Sequence, residues 1–153
     1  MDPTTGSATG LAINGNLSLG ASAELRFAIG GLTQGTQYDF LSEGGAVQLT
    51  LAGTLTLEFA NGFQNSVTGA NTFTILSSNQ NLLGAFANVA NGARLTTADG
   101  FGSFQVNYGA GSAFGPQDVV LSFPVPEHGT PLLALAGGAA LLLRRRRGAL
   151  RKS

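Results

Sequence analysis

Leu11-Ala-Ile13-Asn-Gly15-Asn-Leu17-Ser-Leu19 and, 38 residues later, Leu49-Thr-Leu51-Ala-Gly53-Thr-Leu55-Thr-Leu57 share one pattern, apolar and polar residues in turn around a central glycine. The alternation runs on beyond both segments. From Leu11 to Ile29 it includes Ala21, Ala23, Leu25, Phe27 and Ile29, with Ser22, Glu24 and Arg26 between, and from Val47 to Phe59 it includes Glu58 on the polar side. A period of two places alternate side chains on opposite faces of an extended chain, one buried and one wet. A helix would need a period near 3.6, so the reading is an all-β domain. The repeat at an offset of 38 predicts stacked coils of about 19 residues in a β-solenoid or β-helix-like body. The alternative is a β-sandwich whose strands share a register. Gly15 and Gly53, both on the inward side, predict a bend or bulge where a side chain does not fit. Shorter strands are expected at residues 71–76, 94–97, 102–108 and 118–123, with a helical turn or two over 81–90.

Charge is distributed very unevenly. Residues 1–128 hold all eight acidic residues and two basic ones, Arg26 and Arg94, for a net −6; residues 129–153 hold the other six basic residues and no acidic one, for +6. The basic set is Arg144, Arg145, Arg146, Arg147, Arg151 and Lys152, directly after an apolar stretch over residues 132–143 made only of Leu, Ala and Gly. Such asymmetry marks a tail directed to a membrane or a polyanion. Nucleic acid is excluded as the partner, because the tail has no aromatic residue to stack on a base. Arginines following an apolar helix stay on the cytoplasmic side, and the acidic domain then lies outside. The 132–143 stretch is shorter than the roughly 20 residues that span a bilayer, but snorkelling arginines extend its reach. The reading is one short C-terminal transmembrane helix with the lipid bilayer as partner.

The chain offers little chemistry. It has no cysteine, which excludes disulfides, thiolate catalysis and zinc–thiolate sites. Its one lysine, Lys152, follows no glycine-rich phosphate loop, which excludes nucleotide enzymes of that type. His128 is the only histidine and lies in the spacer before the apolar stretch, so it reads as part of a motif and not as a base or metal ligand. The carboxylates are scattered singly, and a glycosidase pair would have to be assembled by the fold. Glu24, Arg26 and Glu58 share the wet faces of the two alternating stretches and read as a solubilising surface. Residues 109–118 read as a loop. No cofactor and no metal is expected, and the chain reads as a non-enzyme.

The order Val125-Pro126-Glu127-His128, small residues, a short Leu/Ala/Gly helix and the cluster Arg144-Arg145-Arg146-Arg147 resembles the PEP-CTERM sorting signal of Gram-negative, biofilm-forming bacteria. His128 stands where that family most often has a second proline, and Pro-Glu-His followed by a small residue and Thr130 is similar to a recurrent variant. The resemblance covers residues 124–153. It implies recognition by exosortase, a membrane processing enzyme, and passage from the inner membrane to the cell surface or extracellular matrix. It also implies a β-rich ectodomain similar to autotransporter-type strand repeats. The implied organisation is an exported β-rich domain over 1–123, a sorting motif and spacer over 124–131, a membrane helix over 132–143 and a basic cytoplasmic tail over 144–153. The first residues carry no basic and apolar leader of the usual kind, so the expectation is that the true start lies upstream in a longer chain. The function expected is a surface or matrix structural protein. The alternatives are a carbohydrate-binding or adhesive module, with exopolysaccharide as a partner, and the C-terminal piece of a larger secreted enzyme.

Overall fold

The computed structural model describes residues 8–127. The strands in order are β1 Gly10–Ile13, β2 Glu24–Ile29, β3 Phe40–Glu43, β4 Thr50–Leu51, β5 Thr54–Phe59, β6 Phe73–Ser78, β7 Leu83–Gly84, β8 Arg94–Thr96, β9 Gly102–Tyr108 and β10 Asp118–Pro126. Two single 3-10 turns, Phe63–Asn65 and Gly109–Gly111, complete the regular structure among the described residues. The all-β expectation is met.

A six-stranded mixed sheet in the order β1-β3-β6-β10-β9-β8 carries most of the structure, and β2-β5 and β4-β7 form separate two-stranded sheets. The β1-β3-β6 half is parallel and the β6-β10-β9-β8 half antiparallel. Both small sheets are parallel. All three sheets bury apolar faces in one core. Phe73 and Phe104 lie at its centre with ring centroids 5.8 Å apart, edge to face. Tyr38 and Phe63 meet Phe73 in the same way at 5.3 and 6.1 Å, a geometry that adds ring quadrupole attraction to the area each buries.

The solenoid expectation fails. The sheets are open and do not close into stacked coils, and the offset of 38 is not a structural register. Leu11 lies opposite Leu41 and Leu25 opposite Leu55, both 30 residues on, while Thr50 lies opposite Leu83, 33 residues on. The reason is that alternation fixes which face of a strand is buried and says nothing about which strand is its neighbour; any even shift satisfies the same pattern. The first alternating stretch also breaks in two. Residues 14–23 belong to no strand, and Ala23 N–H closes a turn on the Gly20 carbonyl at 3.0 Å, although Leu17 and Leu19 still pack on the core.

The two central glycines part company. Gly53 has φ of 70°, and a methyl on it would run into the Ala23 carbonyl, so the predicted bend is real there. Gly15 has open space around it. Over 81–90 no helix forms; β7 and a loop take its place, because Asn88 is drawn to the edge of β5. Strand β3 was not anticipated, being four residues long with the buried acid Glu43 at its end.

Strand β10 continues past residue 123 to Pro126, with Val125 opposite Ser103 and Pro126 opposite Gly102. A bulge between Ser122 and Val125 holds Phe123 at φ 45°. The expected membrane helix at 132–143 and the basic segment at 144–153 lie outside the described residues. Among the described residues no helix is long and apolar enough to cross a membrane.

Candidate functional site

Three of the four expected sorting residues fall at the end of the described structure. Val125 is exposed, Pro126 is partly buried at the end of β10, and Glu127 donates its backbone N–H to the Phe101 carbonyl at 2.9 Å. His128 and Arg144, Arg145, Arg146 and Arg147 lie outside the described residues. The end of β10 is braced by Arg94. Its guanidinium donates to the Phe123 carbonyl at 2.9 Å and to the Ser103 carbonyl and Oγ at 3.2 and 3.0 Å, which ties β8, β9 and the β10 bulge together. Sequence reasoning counted Arg94 only as a charge; nothing in its neighbourhood marks it as the brace of a bulge 29 residues away. Two rings flank this end of the sheet, Phe101 at 50% and Phe123 at 58% exposure.

The wet face read from the sequence does assemble. Pairing of β2 with β5 puts Arg26 between two acids, with Nη1 3.1 Å from Glu58 Oε2 and Nη2 3.5 Å from Glu24 Oε1. Thr56 Oγ1 donates to Glu24 at 2.7 Å. These groups are well solvated, so the ion pairs add little stability; a guanidinium between the carboxylates also makes this no acid and base pair for sugar hydrolysis.

Three of the other acids, Asp39, Asp99 and Glu43, accept hydrogen bonds mainly from the backbone. Asp39 accepts from Thr9 N–H at 2.7 Å and from Ala28 N–H at 2.8 Å, joining β1 and β2. Asp99 accepts from Phe59 N–H at 2.7 Å and Phe101 N–H at 3.0 Å. Glu43, 1% exposed, accepts from Gly45 N–H and Ser78 Oγ, both at 2.8 Å. Glu43 thus satisfies donors that would otherwise be buried without partners, while Asp39 and Asp99 tie segments together nearer the surface. Among the described residues no group of three His, Cys, Asp or Glu side chains could hold a metal ion.

Two grooves open on the surface. One, of about 380 Å³, lies between β1, β2 and β3 and is lined by Leu11, Leu25, Phe27, Phe40 and Leu41, with Asp39 and Arg26 at its rim. The other, of about 360 Å³, lies beside β7 and is lined by Leu82, Leu83, Asn91 and Tyr108 among glycines and alanines. Burial pushes the Tyr38 and Tyr108 phenols above their ordinary value, and Tyr108 spends its hydroxyl on the Val89 carbonyl at 2.6 Å. Neither groove gathers a nucleophile with a base. No protein-family model matches the chain, nor does any curated protein or solved structure.

Proposed function

We propose that the chain is an exported structural component of the cell surface or extracellular matrix, delivered by a PEP-CTERM-type tail and processed by an exosortase-type membrane enzyme. The observation that carries this reading is the ordered run over residues 124–153, in which Val125-Pro126-Glu127-His128 precedes a short apolar stretch and four arginines behind a domain holding seven of the eight acidic residues. The fold supports it in two ways. The last described strand ends at Pro126, so cutting the chain beyond Glu127 leaves every described strand whole. A body without cysteine, whose carboxylates and amides seal backbone edges, needs no oxidative folding and spends its polar groups on structure.

A second reading is favoured by Phe101 and Phe123, exposed at one end of β9 and β10. Exposed rings stack on sugar faces, and this pair suits an adhesive module for exopolysaccharide. The test of sorting is fractionation of a host containing exosortase that expresses the chain behind an export signal. The wild-type chain reaches the surface fraction. The variant with Arg144, Arg145, Arg146 and Arg147 changed to Ser does not; equal delivery of both would overturn the reading. Retention of the Phe101→Ala/Phe123→Gly variant on polysaccharide equal to wild type would remove the adhesive alternative.

A further inference from the structure

Among the described residues no strand pairs with the outer edge of β2, and its sequence is self-complementary. Thr54 N–H donates to the Ala23 carbonyl and Ala60 N–H to the Ile29 carbonyl, so the odd residues of β2 turn their backbone groups toward β5. The even ones turn away. Ala28 is satisfied by Asp39, whose Oδ2 accepts its N–H and whose N–H donates to its carbonyl, and Gly30 N–H donates to Gln37. At Glu24 and Arg26 no described strand is hydrogen-bonded to the edge, and β1 stands off across the groove.

The opposite edge of this small sheet is guarded. The far side of β5 is sealed by Asn88 on Leu55, by Ala98 N–H on the Leu57 carbonyl and by Asp99 on Phe59. Natural sheets protect an exposed edge with charges, Lys above all, with Pro or with a bulge; Ser22-Ala23-Glu24-Leu25-Arg26 has no Lys, Pro or bulge, and its two charges are of opposite sign, so they repel a like edge only in some registers. Beside it lies the groove lined by Leu11, Leu25 and Phe27, with Leu11 56% exposed.

We infer that the β2 edge is a self-association surface on which a second copy of this chain adds its own β2 antiparallel, with Leu25 opposite Leu25 and Glu24 opposite Arg26. Charge complementarity chooses both the occupant and the register. Backbone exchange needs the even, outward-turned residues of each copy to face one another. Centring on Glu24 sets like charges opposite, as does centring on Arg26, which also demands the Ala28 groups already held by Asp39. Centring on Leu25 is the register that pairs opposite charges twice and lets both hydrogen-bonded pairs form. It also brings the Leu25 side chains together over the groove, removing apolar surface from water.

The test uses the purified full chain, which has no native cysteine. Directly opposed residues at a non-hydrogen-bonded site have Cα atoms about 4.5 Å apart, within the span a disulfide bridges. Leu25→Cys therefore yields a disulfide-linked dimer on mild oxidation, while Glu58→Cys, on the far strand of the same sheet, does not. By sedimentation, Arg26→Glu and Glu24→Arg each weaken self-association at least about tenfold, since each sets like charges opposite, and mixing the two variants restores association as a heterodimer. A wild-type chain that stays monomeric at about 100 μM, an affinity too weak to matter, overturns the inference. So does association without the Leu25→Cys crosslink, which would place the contact elsewhere, for instance in the apolar C-terminal stretch, and so do single variants that associate as well as wild type.

Discussion

The Asn88 side chain makes the pair of hydrogen bonds to Leu55 that a neighbouring strand would make: Oδ1 accepts from the Leu55 N–H at 3.0 Å and Nδ2 donates to the Leu55 carbonyl at 2.8 Å. One carboxamide thus ends a parallel sheet without another strand, and the segment that delivers it is held by Ala87 N–H on the Gly53 carbonyl at 2.6 Å. Asn88→Ala removes both bonds and leaves the partly buried Leu55 groups to find water. The expected loss is about 1–3 kcal/mol, read by urea unfolding. Asn88→Asp keeps an acceptor for the N–H but sets a carboxylate against the carbonyl, so it falls at or beyond the Ala value.

Glu43 and Ser78 form the corresponding brace inside the large sheet. Their strands are adjacent and parallel, with Glu43 directly opposite Ser78, and both side chains are buried. Ser78→Ala strips one carboxylate oxygen of its donor in a place water does not reach, and the expected cost is about 1–3 kcal/mol. In a double-mutant cycle with Glu43→Gln, the two changes couple by at least about 0.5 kcal/mol, as contacting residues do. Simple additivity would show that the contact contributes nothing.

The glycines shared by the two alternating segments separate cleanly under substitution. Gly53→Ala places a side chain at positive φ and against the Ala23 carbonyl, and costs at least about 2 kcal/mol. Gly15→Ala meets open space and changes stability by less than about 0.5 kcal/mol. Thermal melts of the two variants side by side give the comparison.

High pH should unfold the domain through its tyrosines. The chain has two, Tyr38 and Tyr108, and no Trp, so phenolate absorbance reports on these alone. Burial raises both above the ordinary value of 10.0, which means the folded state holds on to a proton that the unfolded state releases. Their contribution to stability is complete below about pH 10 and is lost as pH rises through the folded values. The absorbance rise should therefore lag behind that of a free phenol and coincide with loss of structure by circular dichroism. A rise centred at the free value in a folded protein would contradict the burial of both rings.

What could be read from the sequence followed the physics of each signal. Alternation located the core faces of β2, β5, β9 and β10, because inward apolar residues such as Phe27, Leu57, Phe104 and Leu121 repeat every second position. It located Gly53 as a bend. It could not choose strand partners, because Leu49 and Leu41 satisfy the same inward pattern opposite Leu11 and only the closing of the chain in space selects Leu41. Glu43 was invisible as a core residue, since an acid reads as wet until Ser78 and Gly45 arrive from elsewhere to satisfy it. Asn88 and Arg94 were missed for the same reason, their partners being 33 and up to 29 residues away. The wet triad Glu24, Arg26 and Glu58 was legible because it depends on alternation alone; that Arg26 stands between the acids depends on the β2-β5 register.

The intact mass of the mature species from a host with exosortase, compared with the same host lacking it, tests the sorting reading most directly. Sorting requires a product that has lost the segment beyond roughly Pro126 and Glu127, found outside the membrane only when the enzyme is present. A full-length chain retained in the inner membrane of both hosts would contradict it and leave a plain tail-anchored protein as the better description.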